Sequence, residues 1–316
     1  MFRFILMRLG GLVGVLLAVS LLTFFLMHAV PGGPFDAMTA QTAQMIPVEL
    51  VKNMEEHYGL DKPVWEQYWL FLKAALQGDF GYSYYASGRT INELIREHWP
   101  HSIQVGVMTL AFSSVVGLGL GIFSAMNPGR WPDYLGTGVS LFCMSVPSFI
   151  FAKLMQYFVA VKLGWLPTSG WEGWSEPKYW VLPVLANSLG PVLTLQRYTR
   201  SAVSDVMRAN YVRTARAKGL STTKVTLVHI FKNALTPVVT VAGPMTASLI
   251  TGSIFIEGIF RIPGLGWYTN VSLGRRDYPL IMASTLLWTT LISVTYFVTD
   301  IIYALLDPRV AYVKER

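Results

Sequence analysis

The chain has 316 residues, of which 53% are hydrophobic and only 14% charged, and its mean hydropathy is +0.43. Soluble domains carry about a quarter charged residues, so this composition excludes an ordinary soluble domain and points to a polytopic membrane protein. The net charge of +7 bears on orientation rather than on nucleic acid, because no basic patch is interleaved with stacking aromatics, and the single cysteine, Cys143, excludes an internal disulfide or a Cys-rich metal site.

The first predicted span runs from about Leu9 to Val30, behind Arg3 and Arg8. It is longer than the apolar region of a cleaved signal peptide, about 7–15 residues, so it is expected to stay as a helix. Pro31 to Pro100 is the largest polar insert. Within it, Pro47–Tyr58 before Gly59 and Pro63–Gln77 before Gly78 predict helices, with proline at the start and glycine past the end. Thr90–Trp99 predicts a third. The insert fits either a helical cap on the membrane surface or a docking surface for a soluble partner.

Span two is expected over Ile103–Met126, where Ser113, Gly117, Gly121 and Ala125 recur every fourth residue as a seam for close helix approach. Span three covers about Tyr134–Val161 and contains Pro147. A Trp-rich outer loop follows. Span four covers Trp180–Leu195 with Pro183 and Pro191, span five Thr236–Ile256 with Pro237 and Pro244, and span six Tyr278–Leu306. The prolines are expected bending points. The side that holds the N-terminus carries fourteen Lys and Arg against four acids, and the opposite side ten against thirteen. The positive-inside rule therefore places both termini in the cytoplasm.

Between spans four and five lies Asn210–Val239, with five Lys and Arg and no Asp or Glu. Tyr211–Lys218 favours helix, and Gly219 suits the positive φ of a C′ position. Ser221 is a fair N-cap for a returning helix with Val225, Val228 and Leu235 down one face. This makes a basic knob suited to pushing on a partner. It carries no chemistry: no lysine sits in a GxxxxGK[ST] loop, and HExxH, GxSxG and Cys/His clusters are all missing from the sequence. Lys153 and Asp300 are the clear ionisable groups inside spans. Asp300 fits a structural hydrogen bond better than a proton relay, and Lys153 is expected to face a pore or a neighbouring subunit. Gly252–Gly266 follows span five and fits either an ordinary outer loop or a re-entrant piece of a translocation path.

RTARAKGL followed by NALTPV resembles the cytoplasmic coupling loop (EAA loop) of ABC-importer permease subunits, in the form found in the oligopeptide/dipeptide/nickel family. VPGGPFD, YGLDKPVWEQYWLFLKAALQGDFGYS, IEGIFRIPGLG, RRDYP and the terminal DIIYALLDPR extend the resemblance over nearly the whole chain, in the family's order, and PGGPF sides with the oligopeptide branch. Where the general loop has Glu, this chain has Arg213, which bears on the charge of the partner.

The resemblance implies an all-α membrane protein with the six-helix type I importer fold and a helical extracytoplasmic insert between helices 1 and 2. Its expected parts are 1–30 (N-terminus and first helix), 31–100 (insert), 101–306 (permease core, with coupling loop 197–235) and 307–316 (cytoplasmic tail). It implies a bacterial cell-membrane protein that binds no cofactor. A second homologous permease, one or two ATPases using ATP and Mg, and an extracytoplasmic substrate-binding protein complete the machine. The coupling residues would be Arg213, Thr214, Ala215, Arg216, Ala217, Lys218, Gly219 and Leu220, and the pore or gate candidates Pro244, Ser248, Glu257, Pro263 and Gly264. Peptides are the expected cargo, with nickel, another metal chelate or an oligosaccharide as alternatives. An ion-gradient-driven carrier is the rival from another class.

Overall fold

The computed structural model describes residues 2–35, 48–86, 88–131, 133, 134, 136, 138, 145–221 and 224–306. Cys143 and the tail 307–316 lie outside them. The described elements are helical apart from one isolated bridge between Tyr82 and Thr90. In chain order they are α1 (Phe2–Ala29), α2 (Val48–Tyr58), α3 (Val64–Leu76), α4 (Ile91–Met126), α5 (Ser148–Met155) with a π-wound continuation (Gln156–Lys162), and α6 (Pro177–Met207). Then come α7 (Asn210–Ala217), a π-wound segment (Val225–Phe231), α8 (Lys232–Ile250), α9 (Ile254–Phe260), α10 (Leu265–Arg275) and α11 (Tyr278–Leu306). The chain divides into one compact unit of Met1–His101 with Pro263–Ser293 and another of Ser102–Ile262 with Val294–Arg316.

In the first unit, α2 and α3 end as their glycines require, with Gly59 at φ 68° and Gly78 at φ 75°. The α3 helix lies on α1 through Tyr68, whose hydroxyl is 2.9 Å from Ser20 Oγ and whose ring meets Phe24 edge-on. Of its other large apolar side chains, Phe71 and Leu72 are half-buried, whereas Trp65, Trp69 and Leu76 are exposed. The predicted helix at Thr90–Trp99 is not separate. It is the first part of α4, which continues through Pro100 without a break. A proline costs a helix one hydrogen bond and a clash. Buried Ile91, Leu94 and His98 before it, and Ser102 and Val105 after it, hold the helix on course.

In the second unit, α6 runs along α5 and α8. The glycine seam of α4 meets α6: a Cβ added at Gly117 would lie 2.7 Å from Leu195 Cβ, and one at Gly121 2.6 Å from Thr199 Cβ. Both are inside van der Waals contact, so only glycine lets the two backbones come this close. The α6 helix continues through Pro183 and Pro191 well beyond the predicted Leu195. Pro147 stands at the N-cap of α5 rather than inside a helix. At the fifth predicted span, Val228–Leu235 and Pro237–Ile250 meet at a bend of 41°. Among the described residues, three helices are long and apolar enough to cross a membrane, Leu6–Ala29, Ile91–Met126 and Tyr278–Thr299, and the bent pair makes a fourth. The predicted sixth span coincides with α11.

The candidate coupling elbow and its supports

The basic knob is built from α7 outward. Ala209, extended at φ −67° and ψ 145°, turns the chain out of α6, and α7 runs for 8 residues to Lys218, its C-cap. Gly219 follows at φ +78°, and its N–H donates to Arg216 O at 2.9 Å. The α7 helix is two-faced. Val212 and Ala215 are buried in a cluster with Ala125 of α4, Ala202 and Val203 of α6, and Val225, Ile230 and Ala234 of the return segment. Arg213, Thr214, Arg216, Ala217, Lys218 and Gly219 are exposed, and Leu220 is half-buried against the cluster. Ala215 thus packs inside its own chain, whereas Ala217 is presented outward.

The return segment departs from the expected face. Val225 is 1% exposed but Val228 is 50% exposed. The winding from Val225 to Phe231 is π rather than α. A π turn closes on i→i+5, so the inner face reads Val225, Ile230, Ala234 instead of following an α spacing. Ser221 bonds the Lys224 N–H only at a long 3.4 Å, although its carbonyl accepts the Val225 N–H at 3.0 Å. Thr222 and Thr223 lie outside the described residues.

Sequence reasoning did not find the support beneath the elbow. Asp133, 6% exposed, accepts from Ser124 Oγ at 2.8 Å, from the Gly129 N–H at 3.1 Å, and from both Arg200 Nε and Arg200 Nη2, the latter at 2.9 Å. Arg200 lies on α6, so this clamp ties the turn after α4 to the helix that carries α7. The Arg200 guanidinium holds the Asp133 carboxyl well below the usual carboxylate range, helped by the Gly129 N–H and Ser124. A depressed folded-state pKa stabilises above the ordinary aspartate value, and that stability is lost as pH falls through the depressed value. Asp133→Asn is therefore expected to cost about 1–2 kcal/mol near neutral pH, discounted for the partly exposed Arg200. The deficit should shrink as pH falls, as read from the melting temperature of the purified protein at several pH values. The sequence signal was a lone acid after a Pro- and Gly-rich turn, which by itself names no partner.

The pore candidates do not form one cluster. Pro244 and Ser248 stand one turn apart on α8, half-buried and exposed respectively, and Ser248 Oγ donates back to Met245 O at 2.9 Å. Glu257 is 1% exposed on α9, where its carboxylate accepts the Ser253 N–H at 3.2 Å, while Ser253 Oγ caps the Ile256 N–H. Gly252–Gly266 thus holds one short helix, α9, closed by Arg261, a left-handed residue at φ 55°, and ends at the start of α10. Pro263 and Gly264 belong to the other unit, where the Pro263 carbonyl lies 3.0 Å from His98 Nδ1. The Asp300 side chain lies outside the described residues.

In the first unit, the end of the insert meets RRDYP at the start of α11. Asp277 of RRDYP, 1% exposed, accepts from Ser83 Oγ, the last residue of GDFGYS, and from the N–H of the next residue, Tyr84, at 3.1 Å. It also receives the Leu280 N–H, at the start of α11. Arg275 lies over the Tyr85 ring at 3.4 Å, and Tyr278 Oη donates to Met27 O at 3.3 Å.

Residues 117–312 match the family described as the binding-protein-dependent transport system inner membrane component, and residues 1–105 match its N-terminal companion. The chain is 36% identical over 317 residues to the dipeptide transport system permease protein DppB of Bacillus subtilis, covering 100% of both chains. It is 37% identical over 314 residues to the oligopeptide transport system permease protein OppB of Haemophilus influenzae, covering 99% of this chain and 100% of that one. Among solved structures, an inward-facing form of the MetNI methionine ABC transporter superposes with a TM-score of 0.55 at 18% identity, over 68% of this chain and 96% of that one. That likeness bears on the fold alone. With both halves matched and full-length relatives above a third identical, the chain belongs to the inner-membrane permease components of binding-protein-dependent transport systems.

Proposed function

We propose that this permease imports peptides as one of two paired permease subunits, and that α7 is the lever through which a separate ATPase drives it. The supporting observation is the exposed cationic face of α7, rooted by Val212 and Ala215 and closed by a positive-φ glycine. A rigid, two-faced helix outside the membrane is what a transmitting element requires. The peptide cargo is supported by the dipeptide and oligopeptide permeases at 36% and 37% identity.

On this reading the chain spans the membrane six times with both termini in the cytoplasm, and α2 and α3 lie outside, where a substrate-binding protein delivers cargo. ATP and Mg are used by one or two partner ATPases. The remaining two spans would be the segment that ends in α5 and its π-wound continuation, which at 15 residues supplies only part of a crossing, and the outer part of α6, with neighbouring helices shielding their prolines and polar groups.

The elbow tests the proposal. A Cβ at Gly219 meets nothing within 4 Å, but any L-residue there is strained at φ +78°, by about 1–2 kcal/mol. Gly219→Ala and Gly219→Trp share that strain and differ in bulk. Gly219→Ala is expected to keep most uptake, and Gly219→Trp to lose it by about tenfold or more, corresponding to at least about 1.4 kcal/mol of lost coupling, with membrane insertion unchanged. Full peptide uptake by the Trp variant in ATP-loaded proteoliposomes would remove α7 from the coupling path.

A further inference from the structure

From Pro147 to Val161 the sequence carries one charged residue, Lys153. It is exposed on α5 beside the exposed apolar side chains of Phe149, Ile150 and Leu154. Eight residues of continuous helix lie between it and Lys162, where the polar loop begins, a rise of at most about 13 Å. An extended lysine stem does not span that depth, so the ammonium does not reach the headgroups at the Lys162 end. A bilayer core is about 30 Å thick. On the six-span reading, Lys153 is then an intramembrane cation, and such groups face a partner or a watery path rather than lipid.

The ammonium is held in a built setting. Lys153 Nζ donates to Gln156 Oε1 at 3.2 Å, and Gln156 Nε2 donates to Thr168 O at 2.7 Å and Ile259 O at 3.2 Å. Two carbonyls consume both amide hydrogens, so the amide oxygen must turn to Lys153. The opposite flip would set oxygen against two carbonyls and nitrogen against an ammonium. One of the three ammonium donors is thereby used, and among the described residues no carboxylate pairs with Lys153. The helix turns from α to π winding at Gln156, and π segments recur at functional sites. The same amide reaches Ile259 of α9, so the cation is tied to the segment after α8.

We propose that Lys153 is a substrate contact that binds the C-terminal carboxylate of a peptide in transit, with Gln156 as the positioning residue that aims it. The inference rests on the peptide reading above. The C-terminal carboxylate is the anion every linear peptide carries whatever its sequence, so it suits a pore that passes many of them. A carboxylate in a water-poor path is held best by an oriented, charged donor.

The test uses the complete complex, with second permease, ATPases and delivery protein, in proteoliposomes. The cargo is a pair of peptides, free acid and C-terminal amide, chosen to bind the delivery protein equally. Lys153→Met is expected to lower kcat/KM for the acid by about tenfold to a hundredfold, the span of one charged hydrogen bond. The amide should change by less than about twofold, and Lys153→Arg should restore the acid preference. Equal loss for both peptides, or no loss, overturns the proposal. So does a Lys153→Met complex that purifies without its second permease, since the lysine then pairs across a subunit interface. A wild-type complex that moves neither peptide overturns the peptide reading and this inference with it, whereas wild-type uptake with an unchanged ratio in the variant overturns the inference alone.

Discussion

Replacing Arg213, Arg216 and Lys218 together by glutamate is expected to abolish ATP-dependent uptake while leaving the protein folded in the membrane. All three side chains are exposed on α7 or at its C-cap, and the core beneath them is made by Val212, Ala215 and their neighbours. Charge reversal therefore leaves the anchoring contacts in place. It does change what the helix offers a partner. A surface that receives a cationic helix is complementary in potential, and juxtaposing like charges costs several kcal/mol. Uptake is expected to fall on the order of a hundredfold or more, and the ATPase should no longer elute with the permease at moderate salt. Val212→Asp is the contrasting control. It buries a carboxylate at a position of 0% exposure, so the elbow itself should come apart and the protein should lose thermal stability as well. If the triple variant keeps its ATPase and its uptake, the basic face is ordinary solvated surface.

The second large effect is structural. Asp277→Ala is expected to destabilise the protein by about 3–5 kcal/mol, read as a fall in melting temperature in detergent. It removes a helix cap, worth about 1 kcal/mol, and strands the Ser83 hydroxyl and the Tyr84 N–H, each at about 1–3 kcal/mol when buried. Its pH dependence runs opposite to that of Asp133. Burial pushes the Asp277 carboxyl up, against the pull of Ser83 and the backbone N–H groups of Tyr84, Leu280 and Tyr85. With a folded-state pKa above the unfolded one, the unfolded chain ionises first as pH rises. The contribution of Asp277 to stability is therefore greatest at acid pH and declines as pH climbs from the ordinary aspartate value to the raised one. Burial also pushes the neighbouring Tyr84 phenol up, with the nearby Asp277 charge adding to it, so Tyr84 stays neutral throughout that range. Asp277→Asn keeps a capping oxygen but loses one acceptor, and should fall between alanine and wild type.

Much of the elbow was legible in the residues. The run of cations without acids, the helix over Tyr211–Lys218 and the glycine stop were read correctly, because charge and positive φ are properties of single residues and short windows. Gly59 and Gly78 behaved in the same way. The α4 seam was legible as a spacing, since four-residue repeats of small side chains have one common use. Its partner helix was not, because nothing in Gly117 or Gly121 names Leu195 or Thr199.

The misplaced features share one cause. Pro100 looked like a boundary, and Val228 looked like an inner position, because local rules assume that the backbone follows its own preference. In the folded chain, packing around Ile91, Leu94 and Val105 carries α4 past its proline, and π winding after Val225 moves the buried face to Ile230. Asp133 and Asp277 were visible as acids and nothing more. Their meaning is a set of donors 67 and 193 to 194 residues away in the chain.

By itself, the sequence determined that this is a helical membrane protein and the family it belongs to. Those follow from composition, period and motif, which are summed over local windows. Only the tertiary structure decided which face of α7 is free, what holds Asp133 and Asp277, and how the Lys153 ammonium is aimed. Each of these depends on which distant groups arrive in contact: apolar side chains beneath α7, the Arg200 guanidinium at Asp133, Ser83 and Tyr84 at Asp277, and the Thr168 and Ile259 carbonyls at Gln156, and a hydrogen bond exists only at short range.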